Sequence, residues 1–396
     1  MKPLDGVRIC DFTLHAAGPY GTHYLSMLGA QCIKIESRAR LDIHRRPHPV
    51  YGRLEPAEFD QGNGDKYAVV LNLRTPKGVE LAKRLVSVSE IVAENFRPGV
   101  IRRLGLSYDV LKQLRPALVM ASVSAAGQIG PEWADPGYAP IFAAVGGLGY
   151  LTGYEDGPPV ELRNMMDNVT GLTMACAVLV ALYKARKTGM GEHVDVAARE
   201  VASSFLGDAM VAASMGIPVQ RKGNEMPYAS PHGAYPCTGD DAWITISVKT
   251  QTEWEALART LEATPLLEDP RFSDASRRWL NRKALDELIA TFTSRHDRKA
   301  LTKRLQAAGV AAFASLSAKD LAEDEHLRMR GTITDMTGPN GNTRAVVNAP
   351  WRFEKTPARM DRWMPGLGEH NEYVFGEILG LAKSEIARLV DEEVIW

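Results

Sequence analysis

The first half of the chain alternates short aliphatic runs with segments whose apolar positions recur every three or four residues. Runs at 7–10, 30–35, 69–73, 91–93 and 118–123 predict strands, and 20–28 and 77–86 predict helices between them. Strands separated in this regular way by helices predict an α/β fold with a doubly wound parallel sheet. A long apolar segment at 171–183 follows. It stops at Thr188-Gly189-Met190-Gly191, and 193–196 reads as a further strand.

The pattern then changes. Residues 221–235 are rich in Gly, Pro, Asn and Ser, which predicts a crossing linker or an active-site loop in place of a packed element. A strand at 243–248 and charged amphipathic helices between 253 and 308 predict a smaller α+β domain. The expected division is therefore 1–205 for the first part of a large domain, 206–235 for the linker or loop and 236–330 for the small domain. The sequence has no internal repeat and no low-complexity segment.

Composition narrows the class without naming it. At 396 residues the chain is long enough for about two or three domains with sizeable cores. Lys and Arg total 47 against 48 Asp and Glu, a net charge of -1, which gives no reason to expect nucleic acid or an anionic membrane as partner. Four cysteines, Cys10, Cys32, Cys176 and Cys237, show neither CxxC spacing nor a disulfide framework and fit a reducing compartment. No uninterrupted apolar run approaches about 20 residues, so the expected location is the cytoplasm.

The first chemical signal is ENFRPG at 94–99, which closes the strand-like run at 89–93. Asn95 offers an amide, Phe96 a flat apolar face, Arg97 a charge, and Pro98-Gly99 a bend, at the end of a parallel strand where open α/β sheets bind ligands. The second is Asp167 in NMMDNVTG at 164–171, just before the apolar segment. An N-cap is the plain reading of that position. The positive end of a helix would also hold the carboxylate ionised, and an ionised carboxylate among apolar residues is a competent nucleophile toward a thioester. His15, His23 and His232 lie beside these motifs, with His15 and His232 as candidates for an acyl site. The run His44-Arg45-Arg46-Pro47-His48 is basic enough to help hold phosphate or carboxylate, though a solvated loop explains it as well. The first strand is followed by Ala17-Gly18-Pro19 without GxGxxG, which sets aside a dinucleotide-dependent oxidoreductase.

Further motifs stand in order along the chain: LDGVRICDFT at 4–13, AGPY at 17–20, LGA at 28–30, IKIE at 33–36, LRTPKG at 73–78, RLG at 103–105, TGMGEHVDV at 188–196 and PGLGEHN at 365–371. With ENFRPG they make the chain resemble the class III coenzyme A transferases, the family of formyl-CoA and carnitine CoA-transferases, with the α-methylacyl-CoA racemases as a side branch. The resemblance implies that 331–396 returns to the large, CoA-binding domain and that two subunits interlock like linked rings. It implies Asp167 as the catalytic nucleophile and Ala17, Gly18, Arg38, Leu71, Asn95, Phe96 and Arg103 as contacts to CoA, with Tyr138 added to the acyl site.

The implied reaction moves CoA from an acyl-CoA, with succinyl-CoA as a candidate donor, to a free carboxylic acid through an aspartyl mixed anhydride and an aspartyl-CoA thioester. Each step exchanges one activated acyl group for another, so no ATP, metal or cofactor beyond the CoA substrate is expected. Two departures bear on this. Leu71-Asn72-Leu73 stands where relatives often show LeuAspLeu. In PGYAP at 136–140, Ala139 replaces a frequent acidic residue and Tyr138 the histidine of the racemases. Exchange of an α-proton needs a base on each face of the carbon, so an isomerase or racemase is the weaker reading. A silent partner subunit of a hetero-oligomer is a third reading, and the presence of Asp167 speaks against it. A homodimer is expected, with a heteromer as the alternative.

Overall fold

The computed structural model describes residues 1–52, 57–162 and 164–396. Six strands form one sheet: β1 (Arg8–Asp11), β2 (Gln31–Glu36), β3 (Tyr67–Val70), β4 (Ile91–Glu94), β5 (Val119–Ser124) and β6 (His193–Ala197). Their order is β3-β2-β1-β4-β5-β6 and every neighbouring pair is parallel. β2, β4 and β5 are buried almost end to end. That is why they read as continuous apolar runs without alternation, since helices cover both faces of the sheet. Successive residues serve opposite faces. Ile9, Cys32, Ile91 and Val119 belong to one core cluster, and Cys10, Ile33, Val92 and Met120 to the other. The strand order reverses between β1 and β4, and such a switch point opens a crevice at the carboxyl ends of the two strands.

Two helices on the first face set the geometry of that crevice. The helix Ala17–Met27 crosses the long helix Met165–Thr188 at Gly21 and Gly171. A Cβ on Gly21 would lie 2.2 Å from Met174 Cε and 2.7 Å from the Gly171 carbonyl. A Cβ on Gly171 would lie 2.6 Å from the Ala17 carbonyl. The backbones touch because neither residue has a side chain. On the other face, the LRTPKG motif starts the helix Pro76–Ser87. The Thr75 side chain accepts from the Gly78 N–H, and Pro76 occupies the first turn, where no donor is needed. The PGLGEHN motif guards the edge strand β3: Asn371 Oδ1 accepts from Val70 N–H at 3.0 Å and His370 Nδ1 from Ala68 N–H at 3.2 Å.

The chain divides into two compact units. The larger contains Met1–Tyr150, Val160–Val219 and Glu325–Trp396, including the hairpin β10 (Ile333–Thr337) and β11 (Thr343–Val347). The smaller contains Leu151–Pro159 and Gln220–Asp324. Its antiparallel sheet, in the order β7 (His232–Pro236), β8 (Trp243–Ser247), β9 (Ala311–Ala314), encloses a core with Trp254, Phe272, Leu285 and Leu301.

Two local expectations need correction. The stretch 206–235, predicted as linker or loop, contains a helix at Gly207–Ser214 and most of β7, because Ala, Met and Val there propagate a helix before the Gly- and Pro-rich part begins. The apolar helix runs Met165–Thr188, not 171–183, and by length and composition it could cross a membrane, with a mean hydropathy of 1.6 over 18 residues. Counting uninterrupted apolar runs misses it, because polar residues such as Asn168, Thr170 and Thr173 break the run while the average over 18 residues stays high. In this fold 44% of that window is buried, and Val180 and Tyr183 are exposed.

Candidate active site

Asp167 occupies the third position of the long helix, one turn before Gly171. The N-cap is Asn164, in the left-handed conformation and without a side-chain cap bond. The N-cap expected at Asp167 is therefore three residues earlier, and the Asp167 side chain is left for another task. The glycine crossing brings the start of the first helix against it, and the Ala17 N–H donates to its carboxylate. The expectation that the helix end dominates its charge is also corrected. Burial, with a smaller contribution from the Glu58 carboxylate, pushes Asp167 up to about 6, and the Ala17 bond offsets only part of this. Glu58 is paired with His44 Nδ1 at 2.9 Å.

Asp167 lines a pocket of about 150 Å³ with His15, Ala17, Arg40, Asn95, Phe96, Arg97 and Tyr138. Apart from Asp167 on the long helix and Ala17 at the start of the first, these residues follow the carboxyl ends of β1, β2, β4 and β5. A second pocket, of about 210 Å³, is lined by Leu14, Ser37, Arg40, Leu73, Arg74, Phe96, Val100 and Leu104. Leu14, Arg40 and Phe96 belong to both, so the two pockets form one groove with a waist at these residues.

The loop between β1 and the first helix makes the wall, and it is tied down at each residue. Lys34 Nζ donates to the Thr13 carbonyl at 2.7 Å. Asn95 Oδ1 accepts from Leu14 N–H and Asn95 Nδ2 donates to Leu14 O, at 2.8 and 2.7 Å. Asp42 Oδ2 accepts from His15 N–H at 3.1 Å and lies 3.6 Å from Lys34 Nζ. These ties hold His15 at φ 64°, a conformation costly for a residue with a side chain. Its ring stands edge-on to Tyr138 with centroids 6.0 Å apart, and burial pulls its pKa down.

The predicted residues thus separate into groups. Asp167, Ala17, Asn95, Phe96, His15 and Tyr138 meet around one pocket. Asn95, however, spends its amide on Leu14, so it builds the wall and is not the free grip predicted for it. Gly18 is buried and gives no approach to a ligand: a Cβ there would sit 2.6 Å from Thr13 Cβ and 3.0 Å from Asn95 Cγ, so the glycine serves that packing. Leu71 is fully enclosed in the core and bridges Ile395. Leu73, two residues on, lines the groove in its place. Arg38 and Arg103 are exposed and line neither pocket.

His232 lies in the smaller unit, where its Nδ1 meets Ser247 Oγ at 2.9 Å. His23 is buried, bonded to the Gly64 carbonyl and pushed down to about 3 by burial, which leaves it neutral and structural. Of the basic run, His44 is held by Glu58, and Arg45 makes two 2.8 Å bonds to Glu36.

Sequence reasoning missed three residues. Arg40 follows a motif by four positions and has no signature of its own. Glu58 meets Asp167 only through the fold. Glu94, the first residue of ENFRPG, is buried, and desolvation pushes it up to about 7. Its Oε2 accepts from Phe96 N–H at 2.8 Å, which fixes the turn that presents Phe96.

A half-buried carboxylate whose pKa is raised by desolvation, placed at the switch-point end of a parallel sheet beside a groove, suits acyl-group chemistry. Comparison with known proteins makes the class specific. Residues 4–371 match CoA-transferase family III, and the chain belongs to that family. It is a CoA-transferase, acting between an acyl-CoA and a free acid. It is 32% identical, over all of this chain and 98% of the relative, to succinyl-CoA--D-citramalate CoA-transferase of Chloroflexus aurantiacus. It is 29% identical, over 95% and 96% of the two chains, to succinate--glutarate CoA-transferase of Agrobacterium fabrum. The crystal structure of a CAIB/BAIF family protein from Brucella suis matches with a TM-score of 0.87 at 31% identity, covering 95% of this chain and 99% of that one.

Proposed function

We propose that CoA moves by covalent catalysis on Asp167, from a dicarboxylic acyl-CoA such as succinyl-CoA to a second carboxylic acid. The Asp167 carboxylate attacks the thioester carbonyl, the C–S bond breaks, and CoA leaves as thiolate, giving an aspartyl mixed anhydride. The thiolate then attacks the aspartyl carbonyl and releases the donor acid as carboxylate, leaving an aspartyl-CoA thioester. The acceptor carboxylate attacks that carbonyl and again expels CoA thiolate. The thiolate finally attacks the acceptor's acyl carbon, which frees Asp167. Each step breaks one activated acyl bond and forms another, and the Ala17 N–H remains beside the aspartyl group throughout.

The observation that carries this reading is the Asp167 carboxylate, raised by burial yet bonded to a backbone donor, in a pocket that shares Leu14, Arg40 and Phe96 with a second one. The adenine end would occupy the outer pocket against Leu73, Phe96, Val100 and Leu104 near Arg74, with the pantetheine arm passing Phe96. The dicarboxylic donor is inferred from relatives named for succinyl-CoA, citramalate and glutarate. No metal or further cofactor enters the scheme.

For assembly we take an interlocked homodimer. The segment around the helix Gly207–Ser214 buries none of its own residues and exposes Phe205, Met210, Val211 and Met215, an apolar surface that a second copy would cover. A heteromer is the other arrangement consistent with relatives, since one of 31% identity is a β subunit of succinyl-CoA--L-malate CoA-transferase. All four cysteines are free thiols, three of them buried, which suits the cytoplasm.

The test is chemical trapping. Incubation with succinyl-CoA and hydroxylamine should convert Asp167 to its hydroxamate, found in a tryptic peptide, while Asp167→Ala should lose transfer and bind CoA normally. Turnover with Asp167 unmodified, or substantial activity in the alanine variant, would sink the covalent scheme.

A further inference from the structure

Arg40 ends a short helical turn, Arg38–Arg40, that follows β2. The two arginines of this turn face different surroundings. Arg38 lines neither pocket, whereas Arg40 lines both and stands with Leu14 and Phe96 at the waist between them. Among the described residues it is the only cation that lines both pockets. Arg97, in the inner pocket, donates to the Ala134 carbonyl at 3.0 Å, and Lys34 and Arg45 nearby are held by Asp42 and Glu36. Among the described residues no acid or carbonyl takes the Arg40 guanidinium.

The backbone that carries Arg40 is nevertheless fixed at both ends. On one side Glu36 is buried and held by Arg45. On the other, buried Asp42 is held by Lys34 and grips the His15 N–H. A guanidinium without a partner among the described residues, carried on an anchored arch between the two pockets, presents a fork that suits phosphate or carboxylate.

We propose that Arg40 is an anion-binding residue for the substrate, holding a negative group of the bound acyl-CoA at the waist of the groove. This rests on the reading of the Asp167 pocket as the acyl-transfer site. Two groups of the substrate carry suitable charge on either side of the pantetheine arm: the CoA diphosphate and the free carboxylate of a dicarboxylic acyl group. Both present oxygens to a planar fork, and both would be held in ground and transition states alike.

The experiment compares wild type with Arg40→Met and Arg40→Lys on succinyl-CoA, acetyl-CoA and succinyl-pantetheine, with a melting curve for each variant to confirm folding. Loss of a charge-assisted contact should raise KM about tenfold or more in Arg40→Met while kcat changes little, with Arg40→Lys between. A rise for both CoA esters but not the pantetheine ester assigns the diphosphate. A rise for both succinyl compounds but not acetyl-CoA assigns the acyl carboxylate. Equal KM values for wild type and Arg40→Met on all three compounds would overturn the proposal. Should wild type transfer from none of them, the acyl-transfer reading fails separately. Calorimetric titration of CoA and succinyl-CoA into both proteins then gives the same contrast: weaker binding in Arg40→Met supports the anion contact, and unchanged binding removes it.

Discussion

If Asp167 is the nucleophile proposed above, its charge state should make kcat/KM fall in acid at a pH set by the pocket. With the carboxyl at about 6, about nine-tenths of it is ionised at pH 7 and about one-tenth at pH 5, so a rate carried by the carboxylate should drop roughly tenfold between them. An exposed aspartate near its ordinary value would lose almost nothing over that range. Glu58→Gln separates the pocket from the substrate, whose own phosphates also titrate. It removes the carboxylate that stands second after burial among the causes of the upward shift, so the acid limb should move to lower pH by less than the whole displacement. Both enzymes see the same substrate, hence the difference between their profiles belongs to the protein. The assay is kcat/KM for acyl-CoA from pH 4.5 to 8 in buffers of constant ionic strength, because that ratio reports the free enzyme. A wild-type limb near 4, or a limb that Glu58→Gln moves upward or leaves in place, would refute the reasoning.

Asp167→Asn should yield an inactive protein that is more stable than wild type. Raising a carboxyl from its usual 3.8 to about 6 costs the folded state roughly 3 kcal/mol at neutral pH. The cost is absent below the ordinary value, where the group is protonated folded and unfolded. It grows as pH rises through about 6 and is constant above, so the stability gap, measured by denaturant at fixed protein concentration, should open across that window. A gap independent of pH would contradict the assignment. Gly171→Ala places a Cβ 2.6 Å from the Ala17 carbonyl and 2.9 Å from Gly21 N, backbone atoms that can yield only if the helices part. Denaturation should show a loss of about 1–3 kcal/mol, and parting the Ala17 N–H from Asp167 should lower kcat about tenfold or more. Full activity in this variant would show that the crossing does not set the site.

The sheet was legible because its strands are buried on both faces and carry uninterrupted aliphatic runs, and because Thr75-Pro76 and Gly78 mark a helix start by residue type alone. Residues such as Ala17 and Asp167, far apart in sequence, could be paired only through the family resemblance, since nothing in their local pattern encodes the Gly21–Gly171 contact that joins them. Errors arose where one residue type serves two physical ends. Asn95 has an amide suited to a ligand, and the fold gives both its atoms to Leu14. Gly18 permits close approach, and the close neighbours are Thr13 and Asn95. Leu71 and Leu73 are alike in sequence, but strand pairing sends one into the core and leaves the other at the groove. Arg38 and Arg40 differ only by their place on one short turn.

A carboxylate that must attack a thioester at neutral pH is subject to two opposed demands. Basicity favours attack, so a carboxyl at its ordinary value is a weak nucleophile, yet a carboxyl raised much above 7 would be protonated most of the time. Burial alone drives Asp167 toward the second failure, and Glu58 adds to it; the Ala17 N–H acts the other way by bonding the charged form. The resulting value of about 6 lies close to the highest basicity that still leaves the group ionised at pH 7. The donor that sets this limit reaches Asp167 only because two glycines allow their helices to touch. Under the proposed mechanism the packing of the fold and the reactivity of Asp167 therefore depend on the same contact, and a change that relaxes one should alter the other.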